Sequence, residues 1–137
     1  TGHLVLSTLH CGTAAQAIDR MIDIFPEHQQ SQIRVQLADV LQAIVTQRLL
    51  PLMGKKERIP ATEILRVNLA VANLIRESKT HLLTSQMQTS RAEGMIPFDD
   101  SLVALFKAGK ISAETAVRAA TEPKTIRNKL GIDPQER

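Results

Sequence analysis

Near its start the chain changes from a strand-like pattern to a helical one, and this change constrains the fold more than any other feature. His3–Leu9 (HLVLSTL) is an apolar run bounded by Gly2 and by the turn-prone Cys11-Gly12-Thr13. A run without sustained polar alternation is typical of a strand buried on both faces. From Thr13 onward, apolar residues recur at helical spacing. A buried strand that leads directly into a helix predicts an α/β domain.

The residues that follow predict two helices and then a hairpin. Thr13 is suited to cap the first helix, which Pro26 ends, and a second helix is expected over about Glu27–Ala43. The hairpin is expected to consist of strands at Ile44–Met53 and Arg58–Leu65, joined by a turn at Gly54-Lys55-Lys56. Pro60 predicts that the second strand lies at a sheet edge.

After Leu65 the pattern is helical. Asn68 and Ser112 are suited to cap helices, another helix is expected over about Thr80–Thr89, and one is expected to begin near Phe98 and stop at Gly109. The polar stretch Pro123–Arg137 is expected to fray. We therefore expect an α/β core part over 1–66, a helical subdomain over 67–122 and a flexible tail over 123–137.

Composition disfavours several classes of function. Aromatic residues are 2% of the chain, which argues against the stacking platforms that bind single-stranded nucleic acid. A net charge of +3 is too small to imply nucleic acid. The single Cys11 excludes an internal disulfide and a multi-cysteine zinc site. No apolar run approaches the roughly 18 residues that a transmembrane helix needs. We expect neither a nucleic-acid partner nor a membrane-spanning segment.

His10 is the sharpest candidate for chemistry. In open parallel sheets, ligands bind beyond the carboxyl ends of strands, and His10 lies where the predicted strand gives way to a helix. Its imidazole could contact a phosphate, with Thr8 and Thr13 near enough in sequence to assist. His3 would lie roughly 23 Å from His10 along an extended strand, so a structural role is favoured for it. For His10, a phosphate contact and an ordinary structural role stay equally open.

Other candidates favour ordinary structural explanations. Asp19 and Asp23 are one helical turn apart, but a solvated face explains them better than a cation site. Asp99-Asp100 at a helix start is explained by the helix dipole. Glu63 in an apolar strand is unusual, and it is suited to pair with Arg48 across the hairpin. The basic groups are expected to be solvated rather than to bind a polyanion: Lys55, Lys56, Arg58, Lys124, Arg127 and Lys129.

Segments spread along the chain resemble a known family. TGHLVLSTLH (1–10) looks like the His box of the secretion ATPase superfamily, which comprises RecA-like hexameric motors with a P-loop. IDRMIDIFPEHQQSQIRVQLADVLQAIVTQRLLP (18–51), RIPATEIL (58–65) and GMIPFDDSLVALFKAGKIS (94–112) are similar to its type IV pilus retraction branch. AVANLIRES (70–78) resembles that branch's AIRNLIRE motif, here called the retraction motif.

Differences from the family pattern bear on the branch. Extension and type II secretion ATPases usually carry paired CxxC zinc ligands after the His box, and none is present, which favours retraction. Cys11 stands where the family usually has threonine, and Ala72 where the retraction motif has arginine. Asn68-Leu69 replaces a usual Thr-Pro. These differences leave open whether the chain belongs to a main retraction ATPase or an accessory paralogue.

The resemblance implies the second half of a RecA-like domain followed by a helical tail, and a cytoplasmic ATPase at the inner membrane that drives twitching motility. It implies a homohexamer that acts on a membrane platform protein. ATP and Mg²⁺ would be bound mainly by residues before Thr1, since no GxxxxGK[ST] loop, magnesium-binding acid or other metal ligand is evident here. His10 would be the phosphate-side residue and His3 its structural partner. The retraction motif would be carried by Asn73, Leu74, Ile75, Arg76 and Glu77.

Two alternatives are open beside the retraction motor. The chain could be a non-catalytic interaction module, in which case an upstream phosphate-binding loop would be lost. It could also belong to an extension or type II secretion ATPase, which the missing zinc ligands disfavour. By itself, the chain is expected to be inactive.

Overall fold

The computed structural model describes residues 2–132, which form a mixture of helices and one hairpin. Single 3₁₀ turns cover Thr80–Leu82 and Arg91–Glu93. The regular elements, in chain order, are α1 (Ala14–Asp23), α2 (Glu27–Val40), β1 (Ala43–Pro51), β2 (Arg58–Arg66), α3 (Leu69–Arg76), α4 (Leu83–Thr89), α5 (Phe98–Lys107), α6 (Ala113–Ala119) and α7 (Pro123–Leu130). The predicted order of two helices, a hairpin and further helices is confirmed.

Three helices begin at the capping residues that the sequence predicts. The side chain of Thr13 accepts a hydrogen bond from the backbone N–H of Gln16, and Asn68 accepts one from Val71. Ser112 does the same for α6. Each cap satisfies one of the N–H groups that the first turn of a helix leaves without an intrahelical partner.

The hairpin is antiparallel, with its register running from Ala43 opposite Arg66 to Pro51 opposite Arg58. Gly54 turns the chain with a φ of 74°, a conformation that glycine adopts without strain. Pro60 lies opposite Leu49. Because N–H groups alternate in direction along a strand, the position of Pro60 points away from β1, on the same edge where Ile64 bonds to Ile96. Its missing N–H therefore costs no bond between β1 and β2.

Two apolar clusters pack against opposite ends of the inward face of the hairpin. The first joins the end near Leu65 to α1, α2, α3 and α4. The second joins the end near Leu50 and Ala61 to α5, α6 and α7. The most deeply buried side chains include Ile18, Ile22, Leu65, Ile75 and Leu83 in the first cluster, and Leu102, Ile111 and Ile126 in the second.

The predicted strand at His3–Leu9 is wrong for this structure. The segment has no regular secondary structure, and Leu4, Val5 and Leu6 are 81%, 79% and 86% exposed. A strand needs a neighbouring strand to satisfy its backbone groups. The described sheet consists of β1 and β2 alone, and neither of them pairs with this segment.

The expectation of a frayed tail from Pro123 is wrong for the part that the structure describes. Residues Pro123–Leu130 form α7, with proline in the first turn and Gly131 in the left-handed region at its end. The side chain of Ile126 is 1% exposed and belongs to the second cluster. Ile126, together with the partly buried Leu130, anchors a helix whose other residues are mostly polar. The rest of the predicted tail, 133–137, lies outside the described residues.

We find no helix within residues 2–132 that combines the length and the apolar character needed to cross a bilayer.

Replacing Ile126 by alanine should destabilise the chain strongly if α7 is an integral part of the second cluster. Removing a buried isoleucine side chain costs about 2–5 kcal/mol, and the free energy of unfolding can be measured by urea denaturation. Ile24→Ala is the matched control, because the Ile24 side chain is 71% exposed. Equal, small effects of the two substitutions would show that α7 does not contribute to the core.

Candidate functional site

His10 lies in the irregular segment before α1, and its side chain is exposed. Its backbone carbonyl accepts a hydrogen bond of 2.8 Å from Nη1 of Arg20, which lies on α1. The same nitrogen lies 3.9 Å from Sγ of Cys11. Arg20 therefore fixes the backbone at His10 and leaves the imidazole facing solvent. Thr8 and His3 are exposed in the same segment.

The first turn of α1 uses its N–H groups within the protein. Gly12 donates to Oε1 of Gln16 at 3.2 Å, Ala14 donates to Oε1 of Glu63 at 2.8 Å, and Gln16 donates to Oγ1 of Thr13 at 3.1 Å. A helix start with free N–H groups is a ready anion site, and here two of the first N–H groups of α1, those of Ala14 and Gln16, are taken, as is that of Gly12 just before the cap. Any ligand at this end would therefore meet the exposed side chains of His10 and Thr8 before the helix backbone.

Glu63 is a buried carboxylate in the middle of the hairpin, with 3% of its surface exposed. It lies opposite Thr46 in the register, and on β2 it separates Ala61 of the second cluster from Leu65 of the first. Its side chain accepts a hydrogen bond from the backbone N–H of Ala14, and the backbone N–H of Phe98 is near enough to lower its pKa. Ala14 and Phe98 are the first residues of α1 and α5, so one side chain lies near the starts of two helices.

Arg48 lies on the same inward face as Glu63, one strand away. Its guanidinium stacks on the ring of Phe98, 3.6 Å from the ring centroid, a cation–π geometry. The ion pair between Arg48 and Glu63 that the sequence predicts is not formed among the described residues; the two charges attract each other at longer range, which acts on the pKa of both groups. We call Thr46, Arg48 and Glu63 the polar layer, because they lie between the two apolar clusters.

Burial sets the proton affinities in the polar layer. Desolvation raises the pKa of the Glu63 carboxyl above its ordinary value of 4.5, and Asp99 adds to the rise. The N–H groups of Ala14 and Phe98 and the charge of Arg48 oppose it. Desolvation likewise lowers the pKa of Arg48, against the charges of Glu63 and Asp99. The carboxylate thus depends on its donors to stay ionised in a buried position.

The retraction motif occupies α3 and the residue after it. Ile75 is fully buried and Leu74 partly buried in the first cluster, whereas Asn73 and Glu77 are exposed. Arg76 donates from Nη2 to Oδ1 of Asp39 on α2 at 2.6 Å, and from Nη1 to Oδ1 of Asn73 at 2.9 Å. The motif therefore combines an apolar anchor with a charged link between α3 and α2.

Three other candidate carboxylates, Asp19, Asp99 and Asp100, have structural partners. Asp19 accepts a hydrogen bond from the hydroxyl of Thr80. Asp99 accepts from the backbone N–H groups of Thr121 and Glu122, which ties the start of α5 to the loop before α7. Asp100 forms a two-bond ion pair with Arg91. No group of three or more His, Cys, Asp or Glu residues within 2–132 is arranged to hold a metal ion.

The sequence interpretation missed the structural roles of two residues in this region. Arg20 holds the backbone of His10, and Glu63 bonds to the start of a helix 49 positions away in sequence. An acidic residue at an inward-facing strand position signals an unusual environment for Glu63. Nothing in the spacing identifies its partner, because the contact arises from tertiary packing.

Comparison with known proteins identifies a family. Residues 1–94 match the family model described as "Type II/IV secretion system protein". The chain is 40% identical over 126 residues to the "Twitching motility protein" of Neisseria gonorrhoeae, covering 92% of this chain and 34% of that protein. It is also 40% identical over 126 residues to the "Type IV pilus retractation ATPase PilT" of Pseudomonas aeruginosa, covering 92% of this chain and 36% of that protein.

A solved structure agrees with these relatives. The crystal structure of the pilus retraction motor PilT with bound ADP superposes with a TM-score of 0.80 at 43% identity, covering 93% of this chain and 35% of that one. The chain thus spans about a third of the length of the relatives it matches. The family and the mixed α/β class with a helical carboxy-terminal part, both expected from the sequence, are confirmed.

The raised pKa of Glu63 predicts a specific pH dependence of stability. Because the folded chain binds this proton more tightly than the unfolded chain, the stability linked to it is present at low pH and is lost as pH rises through the folded-state pKa. As the pH is lowered toward the ordinary value of 4.5, the free energy of unfolding should therefore rise relative to that of Glu63→Gln, which cannot titrate. Urea denaturation at several pH values measures this difference.

The matched control for this experiment is Glu114→Gln, whose carboxylate is 80% exposed and pairs only with Arg118 one turn along α6. The difference in free energy of unfolding between Glu114→Gln and the parent chain should stay nearly constant over the same pH range. A constant difference for Glu63→Gln as well would contradict a raised pKa at position 63.

Proposed function

Because this chain belongs to the family of type II/IV secretion system proteins, we propose that it is part of an ATP-hydrolysing motor that retracts type IV pili. The observation that carries the proposal is the match at 43% identity and a TM-score of 0.80 to the pilus retraction motor PilT with bound ADP. Similarity to retraction and twitching proteins over 92% of the chain supports it. The chain would contribute the His box and the retraction motif.

In this proposal, ATP and Mg²⁺ are held mainly by segments outside this chain. ATP supplies the phosphoryl group whose transfer to water drives the motor. The chain offers His10 as a hydrogen-bond donor toward a phosphate oxygen, which fits an exposed imidazole on a backbone that Arg20 holds in place. Thr8 and Thr13 assist by their hydroxyl groups, although Oγ1 of Thr13 already accepts from Gln16. His3 has a structural role in the same segment.

The proposal also includes assembly and location. Six copies form a ring in the cytoplasm, and the ring acts on a platform protein at the inner membrane. Leu4, Val5 and Leu6 are about four-fifths exposed, and an apolar surface of this kind is usually covered in the working assembly. This supports burial of the His-box segment against other parts of the motor.

The retraction motif supports a mechanical role for α3. Leu74 and Ile75 fix the helix in the first cluster, so that α3 moves with the core. Arg76 links it to Asp39 of α2 through a pair that is 33% and 58% exposed on its two sides. Such a pair contributes only about 0–1 kcal/mol to stability. Transmission of motion between α3 and α2 is therefore a better explanation of the charged residues than stability.

Replacing His10 by alanine in the full-length protein should lower the rate of ATP hydrolysis by about a hundredfold, the usual loss for a positioned donor to developing negative charge. Steady-state turnover with a phosphate-release assay measures this. His28→Ala is the matched control, because His28 is an exposed histidine in the first turn of α2. Unchanged turnover in the His10 variant would remove that residue from the mechanism.

The direction of the motor can be tested in cells. Deleting the gene should give surplus pili and abolish twitching, because filaments that are not withdrawn accumulate. Loss of pili on deletion would instead indicate an extension motor. A full-length protein that binds no nucleotide would support the non-catalytic interaction module.

A further inference from the structure

The polar layer is placed where the two halves of the described chain meet. Every second residue of β2 faces inward. In order, these residues include Ala61 in the second cluster, Glu63, and Leu65 in the first cluster. The first cluster contains α1, which follows the His-box segment, and the retraction motif. The second contains α5, α6 and α7. Glu63 is therefore the buried charge at the junction of the two clusters.

The contacts of Glu63 reach both clusters through helix starts. Oε1 accepts a 2.8 Å bond from Ala14, the first residue of α1 and only four positions after His10. The N–H of Phe98, the first residue of α5, is near enough to lower the pKa of the same carboxyl, and the Phe98 ring lies under the guanidinium of Arg48. Helix starts carry a partial positive charge, so a buried carboxylate is attracted to both. Each start compensates part of the desolvation cost of the charge.

This arrangement makes the two helix starts interdependent. A carboxylate with 3% exposure has little water to replace a lost donor. If α5 moves away, it takes with it the ring on which Arg48 stacks, and the bond from Ala14 must compensate more of the buried charge of Glu63. Arg48 reinforces the link, because its guanidinium stacks on the ring of Phe98 at 3.6 Å. Apolar packing alone would allow either helix to slide without such a penalty.

We propose that Glu63 is a positioning residue that couples the backbone at His10 to the carboxy-terminal helices α5–α7: it accepts a bond from the first N–H of α1, and it attracts Arg48, which stacks on Phe98 at the start of α5. This inference rests on the proposed function of the chain as part of an ATP-driven motor. Glu63 does not contact the nucleotide; it acts on turnover through the backbone that carries His10. Movement of the carboxy-terminal helices and the state of the nucleotide are thereby linked.

The test uses the full-length protein with the substitution Glu63→Gln. Glutamine keeps the size of the side chain and one accepting oxygen, but it removes the charge and replaces the other oxygen with an NH₂ group, which can only donate. We expect kcat for ATP hydrolysis to fall by about tenfold or more, because small misplacements remote from the chemistry have effects of this size. KM for ATP should change by less than about twofold, since binding is unaffected. Glu114→Gln, with its exposed carboxylate, should leave both parameters unchanged.

A second measurement separates coupling from a general structural role. Hydrogen exchange is followed in peptides that cover 12–18 and 96–102, with and without a non-hydrolysable ATP analogue. In the parent protein and in Glu114→Gln, we expect the analogue to slow exchange in both peptides. In Glu63→Gln, we expect it to slow exchange in 12–18 only. Exchange is measured on the folded oligomer isolated by gel filtration, so that unfolded protein does not contribute.

The outcomes of the two measurements are distinguishable. An analogue effect that persists at 96–102 in Glu63→Gln overturns the coupling, and so does an unchanged kcat. Equal loss of the analogue effect in both peptides also overturns it, because that would be a loss of binding. A parent protein that neither binds nor hydrolyses ATP refutes the proposed function itself. If Glu63→Gln does not fold, Phe98→Leu is used in its place, because it removes the ring under Arg48. The same loss of the analogue effect at 96–102 is expected for this variant.

Discussion

A carboxylate buried in the middle of a hairpin must be compensated by donors or by an opposite charge, and here it lies near the starts of two helices. Glu63 accepts a bond from Ala14, and Arg48, stacked on Phe98, supplies the opposite charge. Because unpaired buried charge is costly, these contacts fix where α1 and α5 can begin relative to β2. The division of the core into two apolar clusters follows from the same requirement.

The local features of this fold could be predicted from the sequence, and the non-local ones could not. Thr13 and Asn68 cap helices through bonds to residues three positions away, so spacing alone identifies them. The strand predicted at His3–Leu9 needs a neighbour that the described residues do not supply. The tail predicted from Pro123 is a helix because Ile126 packs beneath α5 and α6, a contact that its polar surroundings do not indicate.

The candidate site shows the same distinction. His10 was identified from its place between an apolar run and a helix, together with a family resemblance, and the structure adds Arg20 as the residue that holds its backbone. The capping role of Glu63 was missed because its partner lies 49 positions away. The roles of His3, Thr8 and Thr13 in binding, and of Asn73 to Glu77 in retraction, stay predictions. The spacing of residue types in a sequence identifies contacts within one helical turn, whereas a functional site is formed by segments that are distant in sequence.

The packing of α7 determines how the chain can be shortened for study. Asp99 bonds to the N–H groups of Thr121 and Glu122 just before this helix, and Ile126 lies under the second cluster. A version that ends before Pro123 would remove Ile126 from the second cluster and expose the apolar surface that α5 and α6 turn toward α7. Deletions at this end should therefore keep Ile132, because its backbone N–H bonds to the carbonyl of Arg127 and completes the end of α7.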